Sequence, residues 1–305
     1  MSQFQVAYVP IGVPTFHQES ANEQFNQSVD LLTGLSSDCV YPKGPLLSLD
    51  DLKAYMEEIN PDLLILQNTT FANSAYANEV MKTIECPILL WTLREPVIDG
   101  TRLRLNSLTG AYSAGNLMHH LGKENFEYIY GGPKEEKVIK FIGAVIKAAR
   151  LKATLRTISV ASIGLTPQGF GFGRGLDAEV TRIFGANLES IEVRQLMAKA
   201  NTYTEEDIKD LQEEANSKTI GLDKLPKENV DGFLRLYKAY KTYIDDNNIS
   251  AVATRCWPDY FTEFKTPVCA VLGMLNDINI AASCESDLYG ALSMFIGTDL
   301  TGSPT

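Results

Sequence analysis

Histidine is scarce: the 305 residues hold only His17, His119 and His120. His119 and His120 are adjacent, so on a helix they diverge by about 100° and cannot chelate one ion together. No histidine stands beside a serine or cysteine in a nucleophile context, so nucleophilic hydrolysis is not supported. The five cysteines, Cys39, Cys86, Cys256, Cys269 and Cys284, form no CxxC pair. An odd, scattered set mostly inside apolar runs reads as reduced core thiols. No apolar run approaches the roughly 18 residues of a membrane span. The start, Met1 to Gln5, lacks the basic and apolar regions of a signal peptide. A cytoplasmic protein with no membrane partner is expected. Basic residues are outnumbered, 27 against 38, for a net charge of −11. That excludes a general nucleic-acid binder, which needs a basic face. Internal repeats and low-complexity segments are absent.

What is present is a regular alternation of short apolar runs and longer amphipathic stretches. Strands are predicted at 4–11, 62–66, 87–91 and 128–130, with helices at 19–32, 50–59, 72–84 and 106–121 between them. A helix over 134–151 reads as a bridge. A second series follows, with strands at 157–163, 188–193, 249–254 and 280–284, and helices at 176–184, 230–246 and 269–275. The polar stretch 201–227 reads as a solvated helix and loop. Strands without polar alternation are buried on both faces, as in a parallel sheet between helix layers. The fold class is therefore α/β, with two doubly wound, Rossmann-like domains over 1–150 and 151–305. Within the second, everything past 280 is expected to begin a third domain.

Ligands of doubly wound sheets gather at the C-terminal ends of strands, and five constellations stand at such places. His17 lies just past the first strand. Trp91, with Arg94 and Glu95 close behind, ends another; an aromatic wall and a guanidinium suit a sugar. After the strand at 157–163 comes a glycine loop, Gly164 to Gly175. Its spacing matches neither the dinucleotide nor the P-loop fingerprint, so a nucleotide-dependent enzyme is a distant rival. Arg255-Cys256-Trp257-Pro258-Asp259 follows the strand at 249–254, and this group of Arg, Trp and Asp favours a polar pocket. Glu285 ends the strand at 280–284; Ser286 and Asp287 start the next helix and free Glu285 from capping it.

The run Cys284-Glu285-Ser286-Asp287-Leu288-Tyr289-Gly290-Ala291-Leu292, followed by Leu300-Thr301-Gly302-Ser303-Pro304, resembles a strand-to-helix junction of the L-fucose/L-arabinose isomerase family. The first strand, the Trp91 strand end, the glycine loop and the Arg255–Trp257 element have similar counterparts there. The resemblance implies an aldose–ketose isomerase working through an enediol, with Mn2+ or another divalent metal held by a Glu, an Asp and a His. Glu285 matches the Glu, as metal ligand and candidate acid–base. None of the three histidines matches the His. The Asp and His are expected beyond Thr305, which makes the chain an N-terminal portion with an incomplete metal site. The resemblance also implies a monosaccharide partner and a homo-oligomer in which the first domain reaches a neighbour's pocket, a role for His17 and Trp91. Arg255 and Trp257 are the further substrate-binding candidates. The alternative is a non-catalytic sugar-binding or regulatory module.

Overall fold

The computed structural model describes residues 4–123 and 126–305, so the first three residues of the N-terminal reading lie outside it. The chain divides into two compact units, Met1–Ala153 and Thr154–Thr305.

The first unit runs β1 (Val6–Ile11), α1 (Gln18–Leu35), β2 (Cys39–Val40), α2 (Leu49–Glu57), β3 (Leu63–Asn68), α3 (Ser74–Thr83), β4 (Ile88–Thr92), α4 (Ser107–His120), β5 (Phe126–Tyr130) and α5 (Glu136–Leu155). Its parallel sheet has the order β2-β1-β3-β4-β5. β1, β3 and β4 are buried along their whole length, as strands between helix layers are, down to the polar Gln67, Asn68 and Thr92 at their ends. Side chains cap the starts of α2 and α3. Ser48 accepts the Asp51 N–H before α2, and Asn73 accepts the Ala75 N–H before α3. One polar chain is sealed inside: the Tyr8 hydroxyl donates to Gln67 Oε1 at 2.6 Å, and Gln67 Nε2 donates to Ser28 Oγ at 3.0 Å.

The second unit continues with β6 (Ser159–Ile163), α6 (Asp177–Phe184), β7 (Asn187–Ile191), α7 (Val193–Ala200), α8 (Lys209–Lys218), α9 (Lys227–Asp246), β8 (Ile249–Thr254), α10 (Asp259–Thr262), α11 (Cys269–Asp277), β9 (Ala281–Cys284) and α12 (Leu288–Thr301). Its parallel sheet has the order β7-β6-β8-β9. α6 ends on Gly185 at φ +76, where an added Cβ would stand 2.7 Å from Arg156 Cγ.

Three expectations need correction. β9 and α12, expected to open a third domain, complete the second unit: β9 pairs with β8 in register Thr254↔Cys284, and Leu288, Ala291 and Leu292 of α12 are buried. The stretch 201–227 holds the expected helix, α8, but is not wholly solvated: Ile208 and Ala215 are buried in the same core as α9. The strand expected to reach Val193 stops at Ile191, because Val193 opens α7 with its side chain buried.

Candidate active site

The strand order of the second unit reverses at β6. The chain leaves β6 toward β7, then returns to lay β8 on the other side of β6. Such a switch opens a crevice at the carboxyl ends of the two strands. There the Arg255 N–H donates to the Ile163 carbonyl at 2.9 Å, tying the residue after β8 to the last residue of β6. Gly164 turns away at φ +77, and a Cβ on it would stand 3.2 Å from Arg255 Cβ. Glycine is needed here because the chain takes a left-handed conformation against a neighbour.

Beside β8, the turn from β9 into α12 is unusually tight. Glu285 and Ser286 are both left-handed, at φ +58 and +53. Consecutive non-glycine residues in that region are costly and need surrounding structure to hold them. That structure is visible. The Ser286 hydroxyl donates to the Gly164 carbonyl at 3.1 Å and lies 3.2 Å from Ser162 Oγ. The Ser283 hydroxyl donates to the Asp287 carbonyl at 2.6 Å, and Asp287 caps α12 by accepting the Gly290 N–H at 2.9 Å. The glycine loop closes over the same turn: a Cβ on Gly173 would stand 2.8 Å from the Asp287 Cα, and one on Gly175 would overlap Leu288.

The turn aims Glu285 back across the strand ends. The Cys256 thiol donates to Glu285 Oε1 at 3.2 Å, while Oε2 is buried with no hydrogen-bond partner. The two sulfurs of Cys256 and Cys284 and a Glu285 oxygen lie within 4.8 Å of one another. Burial, reinforced by Cys284 and Glu285, pushes the Cys256 thiol well above its ordinary range, which keeps it a proton donor to the carboxylate. Burial likewise raises the Cys284 thiol. Arg255 Nε stands 2.9 Å from Asp259 Oδ2, an ion pair without hydrogen-bond alignment. Trp257 is 58% exposed on the loop after β8, with Phe261 and Phe172 exposed as well.

The sequence placed Glu285, Arg255 and the glycine loop at strand ends, and the fold brings all three to one edge of the second sheet. Trp257 stands on the loop that follows Arg255. Trp91 and His17 belong to the first unit. Trp91 is 0% exposed, packed beside Tyr8, with its indole N–H donating to the Gly131 carbonyl at 2.9 Å. A sealed indole cannot stack on a sugar, so the substrate-wall reading of Trp91 is corrected to a core role. His17 is exposed, yet its Nδ1 accepts the Ser20 N–H and caps α1. It lines a cleft of about 390 Å³ with Thr15, Arg102 and Arg104. Cys256 and Cys284 were missed as site residues. Both were read as core thiols although each lies inside a strand-end run, beside Arg255 and Glu285 respectively, and Cys269 and Cys284 are in fact exposed.

No protein-family model matches the sequence. Full-length relatives do. A sulfoquinovose isomerase of Clostridium sp. (strain MSTE9) is 56% identical over 305 residues, which is 100% of this chain and 68% of that protein. One from Alkalicoccus urumqiensis is 31% identical over 296 residues, 95% of this chain and 65% of the relative. One from Priestia aryabhattai is 29% identical over 305 residues, 99% of this chain and 68% of the relative. A doubly wound α/β chain with a strand-end glutamate, aligned along its whole length with such enzymes, is a sugar isomerase by class. Within that class the chain belongs to the sulfoquinovose isomerase family, at an identity that leaves the shared ancestry plain. The resemblance to L-fucose and L-arabinose isomerases thus holds at the level of sugar isomerases. Among the described residues no helix is long and apolar enough to cross a membrane.

Proposed function

We propose that this chain carries the Glu285 half of a metal-assisted aldose–ketose isomerase site for a sulfonated hexose, on a framework shared with L-fucose and L-arabinose isomerases. The single observation that carries the site is Glu285: a strand-end carboxylate with one oxygen held by Cys256 and the other buried without a partner. A buried unpaired carboxylate oxygen is expensive, so a substrate hydroxyl or a cation is its natural complement. The substrate class rests on the names of the relatives.

Isomerisation of an open-chain aldose moves a proton from C2 to C1 and one between the two oxygens, with no net redox change. Glu285 is suited to take the C2 proton through its free oxygen and return it to C1. The Cys256 thiol is a positioning group that fixes the carboxylate rotamer. Trp257 offers an exposed ring face to the sugar, and Arg174, exposed on the glycine loop, offers a guanidinium to the sulfonate. Arg255 is held in place by Asp259 at the crevice wall. Glu285 fits a divalent oxygen-preferring ion such as Mn2+, which when bound supplies polarisation of the sugar oxygens. One carboxylate is too few for a tight site of that kind. We assign the remaining Asp and His ligands to the third of the relatives' length that this chain does not span, and the assembly to a homo-oligomer.

The test is ketose formation from sulfoquinovose with Mn2+ present. It compares the chain as it stands with the chain joined to the remaining third of the Clostridium relative. The joined protein is expected to turn over sulfoquinovose in preference to unsulfonated 6-deoxyglucose. The chain alone is expected to fall well below about 10 per second. In the joined protein, Glu285→Gln should lower turnover by at least about a hundredfold. No turnover of any sulfonated aldose by the joined protein would remove this reading.

A further inference from the structure

The isomerase reading uses the Cys256 thiol only to position the carboxylate and gives the second thiol beside it, Cys284, no part. We propose that Cys256, Cys284 and Glu285 form a three-donor site for a thiophilic divalent cation, zinc foremost, distinct in chemical preference from the oxygen-preferring ion of the isomerase reading. The inference stands independently of that reading.

The donor geometry is close to what such an ion takes. Zinc sits about 2.3 Å from sulfur and about 2.1 Å from oxygen, which sets tetrahedral sulfur–oxygen pairs about 3.6 Å apart. Cys256 Sγ and Glu285 Oε1 are 3.2 Å apart, and all three donors lie within 4.8 Å of one another. Small side-chain rotations close that gap. Glu285 Oε2, buried and unpartnered, supplies a second, independent sign that a ligand belongs here. The backbone is committed to the arrangement: the left-handed Glu285–Ser286 turn is pinned to Gly164 by the Ser286 hydroxyl, and parallel pairing sets Cys284 opposite Thr254, two residues before Cys256. Cys284 is exposed, which gives an ion a route in. Three protein donors leave a fourth position open to water or a sugar oxygen.

Two sulfur donors select soft ions over Mn2+ and Mg2+. Binding releases two thiol protons to the buffer and needs no oxidant.

Cadmium reports the site directly through its sulfur-to-metal charge-transfer absorption, and zinc is measured by competition against a chromophoric chelator. The full chain is expected to bind one ion with that absorption, and zinc in large excess is expected to displace it. Cys284→Ser should weaken binding more than about tenfold, since loss of even an outer partner of a metal ligand costs that much. Glu285→Gln should weaken it with the absorption retained. Thermal unfolding without metal checks that both variants are folded, and exposed Cys284 is the safer of the two. Absence of the absorption, or its survival at full affinity in Cys284→Ser, overturns the proposal.

Discussion

At the scale of single residues, burial decides what each side chain is free to do. Trp91 lies one residue from the end of β4 and Trp257 three residues past β8, yet the first is sealed beside Tyr8 and the second faces solvent. Trp91→Phe keeps most of the apolar area but leaves the Gly131 carbonyl without its donor. A loss of about 1–3 kcal/mol is expected in urea unfolding, against less than about 0.5 kcal/mol for Trp257→Phe. Glu135 shows the electrostatic side. Arg94 holds it with two hydrogen bonds, of 2.8 and 3.0 Å, and the Gly132 N–H donates to it at 2.6 Å. Chiefly through Arg94, its pKa is lowered to about 2. The folded value lies below the unfolded one, so the pair stabilises the fold above pH about 4.3. That contribution fades as the pH falls toward about 2. Arg94 is half exposed, so solvent limits the gain. Glu135→Gln should cost no more than about 1 kcal/mol at neutral pH. The difference between the two proteins should vanish in acid unfolding curves near the bottom of that window.

At the scale of elements, the turn between β9 and α12 and the glycine loop over it form one construction. Asp287 caps α12, so Asp287→Ala should cost about 0.5–2 kcal/mol. Gly173→Ala presses on the Asp287 backbone rather than on a flexible side chain. Overpacking of that kind costs about 1–3 kcal/mol. It should also disturb the neighbouring Glu285 turn, seen as weaker cadmium absorption in a protein that still melts cooperatively. Unchanged cadmium binding together with unchanged stability would show that the loop yields freely. The elements also record how far the sequence could be read. The apolar runs within β3, β4, β8 and β9 were legible because burial on both faces leaves few polar positions before the strand ends. β2 was not, because a two-residue edge strand has no period to detect. α7 was hidden because Ile191, Glu192 and Val193 keep a strand-like alternation and no side chain caps the helix start.

At the scale of the whole molecule, each unit builds its core from its own residues. Trp91→Phe should speed exchange in β1, β3 and β4 while β6 and β8 keep their protection, and equal loss in both sheets would show that the two units unfold together.

The sequence by itself determined the alternation of strands and helices, the parallel sheets and the position of Glu285 at a strand end. These are local facts, set by apolar period and by the residues that start and stop helices. Only the tertiary structure decided which strand ends meet. Cys256 reaches Glu285 across 29 residues of chain because β8 and β9 pair in one register and the turn after β9 takes two left-handed residues. It also decided that Trp91 is core and Trp257 is not. Apolar pattern records that a side chain is to be buried or exposed on average, but pairing register and long-range packing fix which neighbour it meets.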